Sequence, residues 1–276
     1  MNNATPAHHR ERGIRTLRDK VAVVTGGGSG IGRALALRLA TEGARVVVND
    51  IDADAAGQVA ALTGGICIVA DLGTPEGPGQ LVRQALAAFG RIDVFCGNAG
   101  IGAGAALETD DATWARVLEV NVMAHVRAAR ALVPHWIEHG GGHYVLTASA
   151  AGLLTMIGNA PYSVSKHAAV AFAEWLHIEY GGSGITAQLV CPQGVDTQML
   201  HASGAVEQLL SRDTALTPEA VADAVVTDMA AGTFLTLPHP EVAGYYAARA
   251  ADTDTWLRGM RTLHARTFRN AGCGQP

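Results

Sequence analysis

Seven short runs of continuous apolar residues, rich in Val and Ile, recur along the 276-residue chain and are separated by longer amphipathic stretches. The runs are VAVVT, ARVVVND, GICIVAD, IDVFCG, HYVLTAS, ITAQLVC and TFLTLP, beginning at residues 21, 44, 65, 92, 143, 185 and 233. Continuous apolar runs are typical of strands that helices cover on both faces. Because helical stretches lie between them, the pattern predicts an α/β fold with one doubly wound parallel sheet.

The chain is expected to form a single domain. No repeat or low-complexity linker divides it, and 49% hydrophobic residues against 16% charged ones can fill a large core. We expect a flexible tail at residues 1–16 and one domain at 17–276, which ends in a helical segment at 241–270.

Charge and composition argue against several classes of function. A net charge of −5 gives no electrostatic footprint for nucleic acid. The four cysteines and eleven histidines show no metal-ligand spacing, so no metal site is expected. The N-terminus lacks the apolar segment of a secretory signal, and the run at 144–158 is too short to span a membrane. Reduced, buried thiols in a cytoplasmic protein are the expectation.

A glycine-rich turn, TGGGSGIG at Thr25–Gly32, follows the first run and precedes a helix predicted to begin at Arg33. Such a turn lets backbone N–H groups and a helix N-terminus approach a pyrophosphate. The glycines do not fit the GxGxxG spacing, so a plain tight turn is an alternative explanation.

Asp50 ends the second run, twenty residues after Gly30. An acid there is placed to hydrogen-bond the adenosine ribose of a dinucleotide and to repel a 2′-phosphate. Neither Ser29 nor Ile51 offers a positive charge for that phosphate, so the pattern favours NAD over NADP. The alternative is an ordinary strand-end or helix-capping aspartate.

Together TGGGSGIG, Asp50, the NAG run at Asn98, Asn121, Ser149 and YSVSK resemble the short-chain dehydrogenase/reductase family, in the expected order over about residues 20–238. The resemblance implies a Rossmann-type fold and a nicotinamide cofactor. It implies cofactor contacts from Gly26, Gly28, Ser29, Gly30, Ile31, Gly32, Asp50, Ile51, Asp71, Leu72, Asn98, Ala99, Gly100, Tyr162, Lys166, Pro192, Val195, Thr197 and Met199. Asp71 and Leu72 would bracket the adenine. The family usually has an asparagine where Gly97 stands.

The resemblance also implies a catalytic set. Tyr162 would be the general acid/base, Lys166 would bind the nicotinamide ribose, Ser149 would hydrogen-bond the reacting oxygen, and Asn121 would hold a water linked to Lys166. Helix geometry agrees, because residues four apart share one face. A phenol of pKa ~10 needs nearby positive charge to act as a base, and we expect Lys166 and the nicotinamide to supply it.

The expected substrate contacts are Ser149, Leu154 and Gln193, although Gln193 could equally be a polar loop residue of no consequence. Leu153, Ile157, Met199 and Leu200 would make the pocket wall apolar. Near the C-terminus, Trp256, Met260 and Leu263 form one helical stripe. Either Tyr245, Trp256 or Met260 helps to close the substrate pocket, or the helix only covers the sheet edge or a neighbouring subunit.

The sequence therefore predicts an oxidoreductase that moves a hydride between NAD(H) and a secondary alcohol or ketone, one that is bulky and apolar. An epimerase or dehydratase of the same family, or a dinucleotide sensor without turnover, remain alternatives. The resemblance further implies a homotetramer. The alanine-rich faces at 122–131 and 168–173 suit contacts between subunits, or else pack against the sheet.

Overall fold

A computed structural model describes residues 13–14, 16–103, 106–204, 207 and 215–270. Within these ranges all seven strands pair in parallel in one sheet of order β3-β2-β1-β4-β5-β6-β7. The strands are β1 Val21–Thr25, β2 Arg45–Asp50, β3 Ile66–Val69, β4 Val94–Gly97, β5 Gly142–Thr147, β6 Ile185–Val190 and β7 Leu235–Thr236. The predicted doubly wound α/β fold, a Rossmann-type single domain, is confirmed.

Helices follow the strands on both sides of the sheet. They are α1 Gly30–Thr41, α2 Ala53–Thr63, α3 Gly77–Phe89, α4 Asp111–Leu118, α5 Ala124–Glu138, α6 Ala151–Leu154, α7 Ala160–Tyr180, α8 Gln198–His201, α9 Pro218–Ala231, α10 Glu241–Ala251 and α11 Thr253–Asn270. The prediction that α1 begins at Arg33 was wrong, because the Arg33 N–H already bonds the Ser29 carbonyl at 3.0 Å. None of the described helices combines the length and the apolar character that crossing a membrane requires.

Alternate residues of each central strand enter two separate hydrophobic cores. In β1, Val23 faces the core beneath α3, α5 and α7, whereas Ala22 and Val24 face the one beneath α1, α2 and α9. All three are fully buried. Fully burying a side chain such as Val contributes roughly 1.5–3 kcal/mol, which explains why both faces of these strands are apolar.

The alanine-rich helix faces lie inside the subunit. Ala128 and Ala129 of α5 and Ala169 and Ala173 of α7 belong to the first core. These alanines therefore pack on the sheet, and our expectation that they suit contacts between subunits was wrong for them. Small side chains let these helices approach the strands closely.

The predicted long fourth helix is interrupted by one wide turn. A π-helical segment at Glu119–Met123 separates α4 from α5, and the Ala124 N–H bonds back to the Glu119 carbonyl across it. Such turns insert one extra residue and often occur at functional sites. Asn121 lies in this turn and is completely buried.

Part of the segment expected to be a flexible tail is described by the structure. The Ile14 N–H bonds the Met229 carbonyl at 3.1 Å, and the Ile14 side chain packs against the second core. Residues 1–12 and 15 of the expected tail lie outside the described residues.

Candidate active site

A cleft of about 1580 Å³ opens at the carboxyl ends of the parallel strands. The strand order reverses between β1 and β4, and the carboxyl ends at such a reversal form a crevice in which ligands bind. The glycine turn and Asp50 line one end, Ser149 and Tyr162 the middle, and the C-terminal helices the other end.

The glycine turn fits a ligand that approaches the backbone closely. Gly26 has φ +60°, and a Cβ on Gly28 would lie 2.9 Å from the Asp50 carboxylate. Gly32 lies behind the turn and not in the cleft wall, because a Cβ there would lie 2.0 Å from the Gly26 carbonyl oxygen. Gly26, Gly28 and Gly30 line the cleft without side chains, which leaves an open cradle for a pyrophosphate at the start of α1.

Asp50 is held by backbone donors. Its carboxylate accepts from the Gly28 N–H at 3.0 Å and from the Asp52 N–H at 3.2 Å. Asp52, and not Asp50, caps α2. The capping alternative for Asp50 is therefore wrong, and its carboxylate lies in the cleft wall beside exposed Ile51.

Asp71 makes an ion pair that the sequence did not reveal. Its carboxylate accepts from the guanidinium of Arg116, on α4, at 3.0 and 3.2 Å, and from the Gly73 N–H at 2.9 Å. These bonds lower the pKa of Asp71, although its burial acts the other way and is the largest single influence. Asp71, Leu72 and Arg116 all line the cleft.

Thr25 ties the glycine turn to the NAG segment. Its hydroxyl accepts from the N–H groups of Asn98 and Ala99 at 2.8 and 3.0 Å and donates to the Cys96 carbonyl at 3.2 Å. Gly97 stands where the family usually has an asparagine, and its surroundings explain why a residue with a side chain does not fit there. A Cβ there would lie 2.6 Å from the ring of buried His125.

The catalytic candidates come together on α7 and β5. The Asn159 side chain caps α7 by accepting from the Tyr162 N–H at 3.0 Å. Lys166, only 3% exposed, places its Nζ 5.5 Å from the centre of the Tyr162 ring and donates to the Thr147 carbonyl at 3.1 Å. Tyr162 and Lys166 therefore share one small volume.

Burial dominates the electrostatics of this volume. Burial raises the pKa of Tyr162, and a hydrogen bond with the Ser149 side chain opposes that rise. Burial also lowers the pKa of Lys166 to about 8. The expectation that Lys166 and the positive nicotinamide together favour the phenolate stays a prediction.

Asn121 supports the site from behind. Its amide accepts from the Ile101 N–H at 2.8 Å and donates to the Ile101 carbonyl at 2.9 Å and to the Ser165 hydroxyl at 3.0 Å. It does not line the cleft. A Cβ on Gly100 would lie 3.3 Å from both the Asn121 Oδ1 and the Lys166 Nζ, so this backbone passes close to both.

The segment after β6 approaches Ser149. The Pro192 carbonyl accepts from the Ala150 N–H at 2.8 Å and from the Ser149 hydroxyl at 3.5 Å. Gln193, the inserted polar residue, lines the cleft together with Pro192. The His239 ring accepts from the Gln193 N–H at 3.1 Å, a contact that no sequence pattern indicated.

The C-terminal helices form the far wall. Apolar side chains line the cleft there, from Tyr245, Ala248, Trp256, Met260, Leu263 and Phe268. Phe268 sits on Gly158, where a Cβ would lie 2.5 Å from its ring. The indole N–H of Trp256 is buried and has no hydrogen-bond partner among the residues that the structure describes.

Most of the sequence-predicted residues line this single cleft: Gly26, Gly28, Ser29, Gly30, Ile31, Asp50, Ile51, Asp71, Leu72, Asn98, Ala99, Gly100, Ser149, Leu154, Tyr162, Lys166, Pro192, Gln193, Val195, Thr197 and Met199. Gly32 and Asn121 lie behind the wall. Leu153 was wrongly expected in the wall, since it is buried in the first core. In the described part of the chain, no three His, Cys, Asp or Glu side chains are grouped to hold a metal ion.

Comparison with known proteins agrees with the geometry. A family model described as short chain dehydrogenase matches residues 20–208. A 1-deoxy-11-beta-hydroxypentalenate dehydrogenase of Streptomyces exfoliatus is 41% identical over 194 residues, which are 67% of this chain and 70% of that protein. An uncharacterized NAD-dependent oxidoreductase of Mycobacterium tuberculosis is 36% identical over 212 residues, 70% of this chain and 77% of that protein.

Among solved structures, a short chain dehydrogenase/reductase from Burkholderia phymatum in complex with NAD superposes with a TM-score of 0.81. It is 30% identical, with 88% of this chain and 96% of that chain covered. A parallel α/β sheet with a glycine cradle and a Ser, Tyr and Lys set at its carboxyl edge defines a dinucleotide-dependent oxidoreductase. The chain belongs to the short-chain dehydrogenase family.

Proposed function

We propose that the protein is an NAD-dependent dehydrogenase of a secondary alcohol, working in reverse as a ketone reductase, and that its substrate is bulky and apolar. The observation that carries the proposal is the grouping of Ser149, Tyr162 and Lys166 beside a largely apolar wall. The Streptomyces relative, named as a dehydrogenase of a hydroxy compound, supports the reaction class.

The cofactor half of the cleft fits a nicotinamide dinucleotide. The open cradle at Gly26 and Gly28 would hold the pyrophosphate, and Asp50 would bind the adenosine ribose. NAD accepts a hydride when it is bound. The Asp50 carboxylate supports NAD over NADP because it would repel a 2′-phosphate at the same place. Arg33 also lines this end, so the preference needs a direct measurement.

The side chains have distinct tasks in alcohol oxidation. The carbinol C–H bond gives up its hydride, and the hydroxyl proton passes to the Tyr162 oxygen, so that a ketone remains. The Ser149 hydroxyl is hydrogen-bonded to the Tyr162 side chain and holds the reacting oxygen beside that tyrosine. Lys166, anchored on the Thr147 carbonyl, would bind the nicotinamide ribose and favour the phenolate once the positive nicotinamide adds its charge.

The substrate half of the cleft supports a bulky apolar alcohol. Trp256, Met260 and Leu263 of α11 line the same cleft as Leu154 and Ile157. This arrangement favours the pocket-closing explanation of the C-terminal stripe over a purely covering role. An apolar wall also excludes water from hydride transfer.

The deciding experiment mixes the protein with NAD and a panel of secondary alcohols and follows the absorbance of the reduced nicotinamide. Bulky cyclic or aryl alcohols are expected to react with higher kcat/KM than short aliphatic ones. Tyr162→Phe serves as the inactive control. No reduction of NAD with any alcohol would refute the proposal and leave an epimerase, a dehydratase or a sensor, none of which accumulates reduced cofactor.

Truncation after Pro240 tests the role of the C-terminal helices separately. If they line the substrate pocket, kcat/KM falls more for an aryl or cyclic alcohol than for a short one, provided that the fold and oligomer survive. An equal loss for both substrates, or no loss, would leave these helices with a structural role only.

We further propose a homotetramer in the cytoplasm. The described surface of α7 carries an exposed apolar stripe of Val164, Trp175 and Ile178, the last of them 79% exposed. Such a stripe suits contact with a second copy better than the buried alanines do. Light scattering that shows only a monomer would refute the assembly.

A further inference from the structure

His239 occupies the short connection between β7 and α10 and is only 2% exposed. Its Nδ1 accepts from the Gln193 N–H at 3.1 Å, and its Nε2 lies 3.0 Å from the Gly194 carbonyl oxygen. An amide N–H can only donate and a carbonyl can only accept. The ring is therefore neutral, with its proton on Nε2, and it bonds two successive residues of one loop.

The loop that His239 holds is part of the catalytic surroundings. The residue before Gln193 is Pro192, whose carbonyl accepts from the Ala150 N–H and from the Ser149 hydroxyl. On its other side the Gly194 carbonyl also accepts from the Leu216 N–H at 3.0 Å. A shift of the Gln193–Gly194 peptide would therefore also move the Ser149 hydroxyl.

His239 also contacts the first turn of α10, a helix that lines the substrate side of the cleft. Its carbonyl accepts from the Val242 N–H at 3.1 Å in the first turn of α10. Farther along α10, Arg249 donates to the Leu153 carbonyl and lies 3.3 Å from the His167 Nε2. One residue thus joins the loop on the nicotinamide side of the cleft to the helices on its substrate side.

We propose that His239 is a positioning residue that sets the placement of the Gln193–Gly194 peptide relative to Ser149 and to helices α10 and α11. It acts through the loop and touches no reacting atom. The inference rests on the proposed function, because its main consequence is a change in alcohol turnover. It adds to the proposed active site a residue that lies 46 positions along the sequence from the loop that it holds.

Three substitutions separate positioning from simple core packing. His239→Leu fills the space without hydrogen bonds. His239→Gln keeps one acceptor and one donor, and His239→Asn carries the same amide on a side chain one methylene shorter. His139→Leu, at an exposed histidine beyond α5, is the matched control for loss of an imidazole.

Positioning predicts a fall mainly in kcat. A displacement on the order of 1 Å can cost about 100-fold in rate, so we expect roughly that loss for His239→Leu with the dissociation constant for NAD changed less than about threefold. His239→Gln should recover at least about tenfold over Leu and over Asn. A deuterium label on the carbinol carbon should give a larger isotope effect on kcat in His239→Leu, because hydride transfer becomes rate-limiting.

A readout without turnover accompanies these assays. Hydrogen exchange of the peptide over residues 191–195 in the free protein should be faster in His239→Leu and close to wild type in His239→Gln. Unchanged kcat in soluble His239→Leu would overturn the inference, as would equal loss in Gln and Asn. If His239→Leu does not fold, the comparison of Gln with Asn decides alone.

Failure of the proposed function gives a different result. A wild-type protein that oxidises no alcohol refutes that function, and the exchange rates then decide whether His239 holds the loop. An active wild type with no difference among the His239 variants refutes the positioning role.

Discussion

Replacing Lys166 by methionine should make the folded protein more stable while it destroys activity. Burial lowers the pKa of Lys166 from its ordinary value of 10.5 to about 8. Since one pH unit corresponds to about 1.36 kcal/mol, keeping this lysine charged in the fold costs on the order of 3 kcal/mol. Methionine has similar length and carries no charge.

The variant also loses one interaction. The Lys166 Nζ donates to the Thr147 carbonyl at 3.1 Å, and removal of a hydrogen bond made by a charged group costs roughly 1.5–3 kcal/mol. The net expectation near neutral pH is a gain of about 1 kcal/mol in the free energy of unfolding. For a chain of this size, that gain raises Tm by roughly 2–4 °C.

The gain should depend on pH in a defined direction. Below about pH 8, Lys166 is charged in both the folded and unfolded states, so the full penalty applies to the wild type. As pH rises from about 8 to 10.5, the folded protein loses the proton first and the penalty disappears. The stability difference between variant and wild type should therefore shrink across this window.

Urea unfolding of both proteins at several pH values measures the difference. Lys20→Met is the matched control, because Lys20 is partly exposed and pairs with Asp93 at 3.2 Å, so its loss should not stabilise. A Lys166→Met protein less stable than wild type near neutrality, or a difference constant with pH, would refute this account of the buried lysine.

Three further predictions concern the proposed chemistry. Tyr162→Phe removes the oxygen that transfers the proton, so kcat should fall by ~10²-fold or more while the NAD affinity measured by titration stays close to wild type. A variant that retains more than about a tenth of the wild-type kcat would contradict the mechanism. Asp50→Ala should raise kcat/KM with NADP relative to NAD, because it removes a negative charge opposite the 2′-phosphate; wild-type enzyme that uses NADP as well as NAD would contradict this role. Alcohol oxidation needs the phenolate and should speed up as pH rises. Ser149→Ala should move this rise to higher pH, because the hydrogen bond that it removes lowers the pKa of Tyr162. A pH profile that does not move in the residual activity would show that Ser149 has no effect on that pKa.

Local sequence patterns predicted the sheet and the start of α7. The continuous apolar run of β1 is buried on both faces, as its composition required. Asn159, followed by Pro161 in the first turn, begins α7 where Tyr162 and Lys166 then share a face. These features depend on neighbours in the sequence, so a single sequence contains the information.

Contacts between distant segments could not be predicted in this way. The wide turn at Asn121 contains no Gly or Pro, the residues that usually mark an interruption of a helix, so the sequence did not indicate it. Arg116 reaches Asp71 across 45 positions, and His239 reaches Gln193 across 46. Only the folded arrangement brings such pairs together. The raised pKa of Tyr162 likewise follows from burial, which the spacing of Tyr162 and Lys166 does not reveal.

The contact of Phe268 with Gly158 bears on how enzymes of this type could diversify. The two ends of the cleft come from different parts of the chain, since the glycine cradle lies near residue 30 and the apolar wall lies beyond residue 240. The later part contacts the rest of the described chain at Phe268 on Gly158, at Arg249 on the Leu153 carbonyl and through Val242, which is buried in the first core. If its helices line the substrate pocket as proposed, grafting the last helices of a relative after Pro240 with these contacts kept should change which alcohol the protein accepts and leave its choice of dinucleotide as it was.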